Sequence, residues 1–309
     1  MTSRPSSSQV RGLFPVLAAA LVAAAAGCVA TVRAATSDPK AAGSSLYERI
    51  AAGPLVVRAR CRLVGKRASI DVVEVFKGAC SGATLQVSFR SDNYNRAPGS
   101  PRVEFQQGQE SVLVLERERD DRDRLRAEDR WSLVGGWRGK IDVPLEGAPA
   151  LLEATHRLAA IQALKDQQDV WSAQKDLIRE RNPILVASGF DEVLKFRLGD
   201  ETLVAPLLGH LDGPRPEFRL QAVRVLGQMF DRARRTGKEL PSADLLTNET
   251  LARASGDESA DVRAEAVRAL RGLRRKELID PLSRIASNDP SQMVRYEAQL
   301  GVLELRDGS

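Results

Sequence analysis

The hexapeptide Asp261-Val262-Arg263-Ala264-Glu265-Ala266 decides the fold of this chain, because it recurs. It returns as Gln292-Met293-Val294-Arg295-Tyr296-Glu297-Ala298, and a looser copy, Glu217-Phe218-Arg219-Leu220-Gln221-Ala222, precedes both. When the three copies are aligned, apolar or small residues follow at steps of four, seven, eight and eleven, which is one face of an α-helix. The aligned sets are Phe218, Val262 and Val294; Ala222, Ala266 and Ala298; Val225, Ala269 and Gly301; Leu226, Leu270 and Val302; Met229, Leu273 and Leu305. A helical face that recurs every few tens of residues predicts a solenoid of stacked helices.

A turn that can start a helix precedes each copy. In Asp289-Pro290-Ser291-Gln292, the Asp can accept hydrogen bonds from free N–H groups, the Pro suits the first helical position, and the Gln can close a capping box. Asp257 and Asp212 lie in the corresponding turns. Pro206 and Pro281 fall inside the helices before the turns, where a proline either bends a helix or marks its first turn. Those helices carry apolar faces made of Leu203, Leu207, Leu208 and Leu211 in the first repeat and Leu278, Leu282, Ile285 and Ala286 in the last.

An Asp-rich turn followed by Val-Arg-x-x-Ala and an apolar helix resembles HEAT-like repeats of the bilin-lyase (PBS-lyase) type, over residues 200–305. The intervals are uneven, 44 residues from Arg219 to Arg263 and 32 from Arg263 to Arg295. We interpret residues 231–241, in the longer interval, as an insertion. The resemblance implies a solenoid over residues 199–309 that binds another protein. Because such repeats also occur in enzymes, the alternative is an enzyme or enzyme accessory subunit.

The arginine of each copy has two interpretations. By the resemblance, Arg219, Arg263 and Arg295 bond to turn carboxylates such as Asp257 and Asp289, or to turn carbonyls, and form a structural ladder. The functional alternative is a row of anion-binding sites. Arg271 and Arg274, toward the end of the same helix, are candidates for a partner-binding surface.

The N-terminus predicts export. Arg4 and Arg11 form a basic stub, residues 13–26 are an uncharged run, and Gly27-Cys28 follows. This run is shorter than the roughly 20 residues of a membrane-spanning helix, so residues 1–30 are predicted to be a signal peptide. Residues 25–28, Ala-Ala-Gly-Cys, resemble a bacterial lipobox in which Cys28 is lipidated, although leucine is usual where Ala25 stands. The alternative is simple cleavage after Ala30 or Ala35. The protein is then extracytoplasmic: periplasmic, membrane-anchored or secreted.

Residues 31–50, rich in small and polar residues, are predicted to be a flexible linker, and residues 51–146 a β-rich domain. Alternating or continuous apolar runs predict six short strands separated by turn residues. Their order and number indicate a small antiparallel barrel or sandwich, so the fold class is multidomain α+β. The Val-Phe-Lys-Gly at 75–78 loosely resembles uncharacterised β-domains of exported bacterial proteins, which implies no activity. The predicted strands are residues 55–61, 69–76, 84–89, 111–115, 131–134 and 140–143.

Residues 147–198 are predicted to form a helical cap that covers the first repeat. The apolar spacing favours helices at 150–166, 170–181 and 183–197, with Asn182-Pro183 between the last two. A cap is needed because the end of a helical array otherwise exposes an apolar face.

Cys61 and Cys80 are the only cysteines of the predicted mature chain, and an exported protein meets an oxidising environment, so we predict a disulfide between them. The alternative is two separate buried thiols. Residues 116–130 alternate in charge and are predicted to be a solvated hairpin tip rather than a cation site. Tyr94 and Trp137 form an aromatic binding surface if they lie close together; alternatively, Trp137 fills the barrel interior.

Composition and motifs narrow the function. The 309 residues carry a net charge of +5 with a pI near 9.3, but basic and acidic side chains are equal in number from residue 201 onward, and export argues against a nucleic-acid partner. His156 and His210 have no neighbours at metal-ligand spacing. The sequence contains no nucleophile elbow, zinc-protease motif, Walker loop or Rossmann fingerprint. We therefore predict no cofactor, no metal and no enzymatic activity, and an envelope-associated adaptor or scaffold whose partner is another protein.

Overall fold

The computed structural model describes residues 45–89, 103–118, 130–144 and 146–307, but only the backbone of Gly136 and Trp137. The chain divides into two compact units, Met1–Ala160 and Ile161–Ser309. The predicted signal peptide with Cys28, the loop with Tyr94 and most of the charged segment 116–130 lie outside the described residues. In the part of the chain that is described, no helix is both long and apolar enough to cross a membrane.

The first unit contains a closed ring of five strands. The strand order is β1-β2-β3-β5-β4, and β4 also pairs with β1, which closes the ring, while β6 adds to the free part of β4. These pairings make a closed five-stranded barrel. The six strands are β1 (Leu55–Val64), β2 (Ala68–Lys77), β3 (Thr84–Ser88), β4 (Glu110–Arg117), β5 (Arg130–Leu133) and β6 (Lys140–Asp142). All six predicted strands are found, and the ring selects the barrel over the sandwich.

One pair of neighbours in the ring, β3 and β5, is parallel, whereas the others are antiparallel. The reason is parity, because strand directions cannot alternate all the way around a ring with an odd number of members. The predicted all-antiparallel pairing therefore fails at this one place. The chain makes the crossing in the connection between β3 and β4, part of which lies outside the described residues.

Alternating side chains of the strands fill the barrel. Strand β4 is buried from Ser111 to Leu115, as expected of a central strand. Gly78, which ends the Val-Phe-Lys-Gly sequence, has φ +78° and passes so close to the chain that a Cβ there would lie 2.2 Å from the Pro54 carbonyl oxygen. Only glycine suits that turn. The barrel core is made of Leu55, Val57, Ala59, Cys61, Ala68, Ile70, Leu85, Val87, Phe89, Val103, Phe105, Leu113, Leu115, Trp131 and Leu133.

Two helices belong with the barrel. Helix α1 (Leu46–Ala52) begins with a capping box between Ser45 and Glu48, so the predicted flexible linker is wrong for its last five residues. Arg49 fixes α1 to the barrel through the carbonyl oxygens of Arg138, at 2.7 Å, and Lys140, at 3.2 Å. Helix α2 (Ala148–Gln162) lies in the segment predicted as a cap and contacts β2, while the cap itself stays a prediction.

The contact between α2 and β2 is made by His156. Its Nε2 lies 2.7 Å from a carboxylate oxygen of Glu74, and its ring packs edge-on against Phe76 with centroids 4.6 Å apart. His156 therefore has a structural role within the first unit.

The predicted bridge between Cys61 and Cys80 does not form, because both cysteines are free. Cys61 points into the barrel core and pairs with Ile70, whereas Cys80 follows the far end of β2, where Lys77 pairs with Val56. Five residues of strand separate Val56 from Cys61, about 16 Å at the usual rise per residue. Cys80 packs against the core cluster that contains Cys61, but no bond joins the two thiols.

The second unit is entirely helical among its described residues. Helices α3 (Gln167–Asp176) and α4 (Pro183–Phe196) precede three helical hairpins. Asn182 caps α4 by accepting a hydrogen bond from the Ile184 N–H, and Pro183 occupies the first turn, as predicted. The hairpins are α5 (Val204–Leu211) with α6 (Pro216–Thr236), α7 (Ala243–Gly256) with α8 (Ala260–Gly272), and α9 (Ile279–Asn288) with α10 (Gln292–Asp307).

The first and last hairpins share a detail that the sequence predicted. A 3₁₀ turn precedes both α5 and α9, and Pro206 and Pro281 are each the third residue of the α-helix that follows. Both prolines therefore lie in a first turn, where the absent N–H costs nothing. The predicted insertion at 231–241 is half helix, because α6 continues to Thr236 and ends at Gly237 with φ +64°.

The second helices of the hairpins, α6, α8 and α10, pack side by side. The aligned positions of the sequence copies are their shared core: Ala222, Ala266 and Ala298 are each 0% exposed. Val262, Val294 and Leu270 are equally inaccessible, which supports the alignment of the repeats.

Candidate functional site

Arg219 links the first hairpin to the second. Its Nε and Nη2 donate to the two carboxylate oxygens of Asp257 at 2.8 and 3.1 Å, and its Nη1 donates to the carbonyl oxygen of Gly213, in its own turn, at 3.0 Å. The residue is 5% exposed. A bidentate arrangement of this kind fixes both distance and orientation between the two hairpins.

Arg263 repeats the same geometry one hairpin further on. Its Nε and Nη2 donate to Asp289 at 2.8 and 3.0 Å, while Nη1 donates to the carbonyl oxygen of Asp257 at 2.7 Å. Each aspartate also accepts a backbone N–H of its own turn, from Ser259 at 2.9 Å and Ser291 at 2.8 Å. Carboxylate and guanidinium are therefore both saturated, as buried charges must be.

Electrostatics keep these pairs charged. Hydrogen bonding with Asp257 raises the pKa of Arg219, and hydrogen bonding with Asp289 raises the pKa of Arg263. Burial by itself raises the pKa of Asp289, but the bonds from Arg263 and the Ser291 N–H outweigh it, and the pKa is lowered overall. In Arg219 and Arg263, the fork of the guanidinium, its Nε and Nη2 donors, is occupied by a protein carboxylate. These two pairs are the structural ladder, and they leave neither fork open to a free anion.

Arg295 is the third rung and differs from the other two. Its Nη1 donates to its own turn, to the carbonyl oxygens of Asp289 at 2.7 Å and Pro290 at 3.1 Å. Its Nε and Nη2, which bind aspartate in the other rungs, have no partner within the described residues.

A second set of charges runs across the three second helices at their surface. Arg224 of α6 lies 3.8 Å from Glu265 of α8, and Arg268 bridges Glu265 and Glu297 of α10 at 3.0 and 2.8 Å. Arg271 continues the chain to Glu297 at 3.2 Å and Glu304 at 3.3 Å. We call these six residues the charged row: Arg224, Glu265, Arg268, Glu297, Arg271 and Glu304.

Of the four residues predicted for a partner surface, the structure describes the side chains of Arg271 and Arg274. Arg271 belongs to the charged row, and its guanidinium is engaged by two glutamates. Arg274 follows α8 with φ +53°, is exposed, and makes no side-chain hydrogen bond or ion pair within the described residues. Trp137 lies in a short 3₁₀ turn, Gly136–Gly139, but its side chain and Tyr94 lie outside the description, so the aromatic surface stays a prediction.

Sequence reasoning missed Glu265, Arg268 and Glu297. A signal was present, because Glu265 and Glu297 occupy the same position in aligned copies and Arg268 stands three residues after Glu265. Residues three apart on a helix are neighbours, and the same position on adjacent second helices comes to one face.

The two histidines of the chain, His156 and His210, also lie within the described residues. The described residues contain no group of three or more His, Cys, Asp or Glu side chains that could hold a metal ion. Nε2 of His210 lies 2.7 Å from the carbonyl oxygen of Ile178, and its ring packs against Phe190 and Phe218.

Comparison with known proteins agrees with this geometry. Residues 247–302 match the family model of HEAT repeats, and a search of curated proteins gives no match. The C-terminal part of the chain is therefore a HEAT-like repeat array, as the recurring segments predicted. HEAT repeats are commonly protein-interaction scaffolds, and the match suggests a non-catalytic one.

Proposed function

We propose that this chain is an exported, envelope-associated scaffold that binds a partner protein on the layer formed by α6, α8 and α10. The charged row is the observation that carries the proposal. It places three arginines and three glutamates in alternation across three adjacent helices, with Arg268 40% and Arg224 44% exposed. Such a surface offers paired charges of both signs to another protein surface.

The alternation of sign determines what this surface recognises. A nucleic acid or an anionic membrane needs an excess of positive charge, whereas the row is balanced. A folded protein presents charges of both signs, and rim charges that complement it set orientation and association rate. The partner proposed here is therefore a protein with its own mixed-charge surface.

Arg274, which lies just after α8, is the best position for a test, because its exposed side chain makes no hydrogen bond or ion pair within the described residues. Replacement of Arg271 is less clean, since it leaves Glu297 and Glu304 without their shared partner. We expect Arg274→Glu in the full chain to leave thermal unfolding unchanged and to reduce the yield of partner in a crosslinking pull-down from the envelope fraction.

Arg284→Glu is the matched control, because Arg284 is equally exposed but lies on α9, a first helix of a hairpin. Partner yields that fall equally with both variants would indicate general charge dependence and contradict the assignment to the second helices. No specific partner with the wild-type chain would refute the scaffold function.

Export is a separate part of the proposal and is supported by the basic stub, apolar run and Gly27-Cys28 of the sequence. If Cys28 carries lipid, Cys28→Ala releases the protein from membranes into a soluble extracytoplasmic fraction. Unchanged fractionation together with a mature N-terminus at Thr31 or Thr36 would exclude the lipid anchor and leave simple secretion. Retention of the whole chain in the cytoplasm would refute export.

A further inference from the structure

Helix α10 exposes the face that the other second helices bury. In α8, Ala264 and Val267 are 0% exposed, and in α10 the aligned residues are Tyr296, which is 59% exposed, and Gln299, which is also exposed. Leu303, two turns after Tyr296, is 54% exposed. We call Arg295, Tyr296, Gln299 and Leu303 the end face. Tyr296 and Leu303 put apolar surface on this face, beside the guanidinium of Arg295.

The fork of Arg295 specifies the chemistry of what fits there. In both earlier rungs, Nη1 holds the carbonyl of the arginine's own turn, while Nε and Nη2 take the two oxygens of an aspartate from the next hairpin. Arg295 keeps the first contact, so its guanidinium is anchored by its own turn. The remaining two donors are the pair that binds a carboxylate side-on. The chain thus contains two occupied examples of the site that Arg295 leaves open.

The aspartate in both examples has a defined setting. Asp257 and Asp289 each follow a helix end and accept the N–H of the residue two positions on, just before the next helix begins. The ligand that the geometry favours is therefore an aspartate in the turn of a helical hairpin, with helix surface beside it to cover Tyr296 and Leu303.

A second copy of this chain, joined head to tail, does not supply that ligand. The turn of its first hairpin has Gly213 where the later turns have Asp257 and Asp289. The face that precedes this hairpin is also covered by α4, through the bond from Gln228 to the Leu194 carbonyl oxygen and the contact of Phe190 with Phe218. The first hairpin of a head-to-tail copy is therefore excluded as the occupant.

We propose that the end face of α10 docks a helical hairpin of a partner protein, whose turn aspartate occupies the fork of Arg295. This names the partner class of the scaffold and rests on the proposed function, but it uses the end of the array rather than the charged row. The docked hairpin continues the Arg–Asp ladder by one rung and buries Tyr296 and Leu303.

The fit is tested first with a probe of known sequence. A second copy of residues 276–307 is appended to the full chain through a Gly/Ser linker, which presents its turn aspartate to Arg295 at high effective concentration. We expect amide hydrogen exchange of α10 to slow. This slowing of exchange should disappear when only the aspartate of the appended copy is changed to Asn. It should also disappear with Arg295→Lys, because lysine lacks the planar guanidinium fork. No slowing with the intact appended copy overturns the proposal, as does slowing that survives both substitutions.

The natural partner is tested by photo-crosslinking. A benzophenone amino acid replaces Tyr296 in the full chain, and crosslinked peptides from the envelope fraction are identified by mass spectrometry. The proposal expects a segment that forms a helical hairpin with an aspartate in its turn. Changing that aspartate to Asn should weaken binding about tenfold to a hundredfold, since hydrogen bonds to charged groups are worth about 1.5–3 kcal/mol.

The remaining outcomes separate this inference from the proposed function. Crosslinks only to a second copy of the chain, to lipid, or to a segment without an acidic residue overturn the docking proposal. If a partner is captured whose binding depends on Arg274 and not on Arg295, the end-face inference fails and the scaffold function stands. If neither substitution affects any captured protein, both fail.

Discussion

The barrel and the repeat array both use close Arg–carboxylate pairs, but they place them differently. In the barrel, Arg58 lies 2.7 Å from Glu110 with side chains 29% and 20% exposed; in the array, Arg263 lies 2.8 Å from Asp289 with side chains 10% and 5% exposed. The barrel strands are joined around a ring by backbone hydrogen bonds, which fix their register. Neighbouring hairpins of the array contact one another through side chains. The array therefore needs buried, directional side-chain pairs to hold its hairpins in register, whereas backbone hydrogen bonds do this in the barrel.

The two regions also differ in how damage should spread. Every barrel strand is paired to two others in the ring, so loss of one strand opens the whole structure. Each repeat depends on its immediate neighbours, and its stability is a sum of its own and nearest-neighbour terms. Substitutions in the two regions, followed by local as well as global probes of unfolding, can break or sharpen this comparison.

The largest effect is expected from Ala266→Asp, at the centre of the repeated face. Ala266 is 0% exposed among apolar neighbours, so the change buries an unpaired carboxylate, at a cost of several kcal/mol. Hydrogen exchange should show the helical unit opening while the barrel strands stay protected. Ala252→Asp, at an exposed position of α7, is the matched control. A tolerated Ala266→Asp would refute the repeat alignment, and equal loss in both regions would show a single cooperative unit.

The next effect concerns a rung of the ladder. Arg263→Ala leaves Asp289 buried without its partner, and we expect a loss of about 3–5 kcal/mol in the free energy of unfolding, measured by urea denaturation. A loss below 1 kcal/mol would show that water replaces the guanidinium and that the rung is not a buried pair.

A double variant tests whether the ion pair between Arg263 and Asp289 itself stabilises the array. Arg263→Met with Asp289→Leu replaces the pair by apolar groups, and such replacements are often neutral or stabilising. We expect unfolding free energy near that of the wild type. A double variant as damaged as Arg263→Ala would mean that the polar bonds to the turn carbonyls, rather than the ion pair, hold the hairpins together.

A smaller effect depends on pH. The pKa of Asp289 is lowered in the folded protein, so its contribution to stability is present above about pH 4 and is lost as the pH falls below that value. The difference in unfolding free energy between wild type and Asp289→Asn should therefore be largest near neutral pH and shrink over the range below about pH 4. A difference that is constant over this range would show that the charge of Asp289 does not stabilise the array.

The smallest effect is expected in the barrel. Arg58→Ala removes a pair at the barrel surface, where Arg60 also bonds to Glu110, and we expect a change of about 1 kcal/mol or less in the free energy of unfolding. A change as large as that of Arg263→Ala would contradict the comparison, because side-chain pairs would then matter equally in both regions.

Much of the architecture followed from local patterns. Alternating side chains predicted six strands, and spacing of 3.6 residues per turn predicted the hairpins, because burial of one face imposes its period on the sequence. The resemblance implied that Arg219 and Arg263 bond to turn carboxylates or carbonyls, with an anion-binding row as the alternative, and the structure shows the bonds to Asp257 and Asp289. The predictions failed where they required the spatial distance between residues of different elements, because a local sequence pattern does not contain that distance. The spacing of Cys61 and Cys80 did not reveal that both thiols are free, and an apolar helix pattern did not reveal that α2 contacts β2 through His156.

The sequence by itself determined the kinds of elements, the repeat period and the residues that face inward, because those depend on the periodicity of helix and strand. Tertiary structure alone decided which charges meet. Arg219 and Arg263 find aspartates 38 and 26 residues away, and Arg268 finds Glu297 29 residues away, through the stacking of whole hairpins. It also decided that Arg295 finds no such partner within the described residues. Contacts between side chains distant in sequence depend on how complete elements pack, and no local pattern encodes that distance.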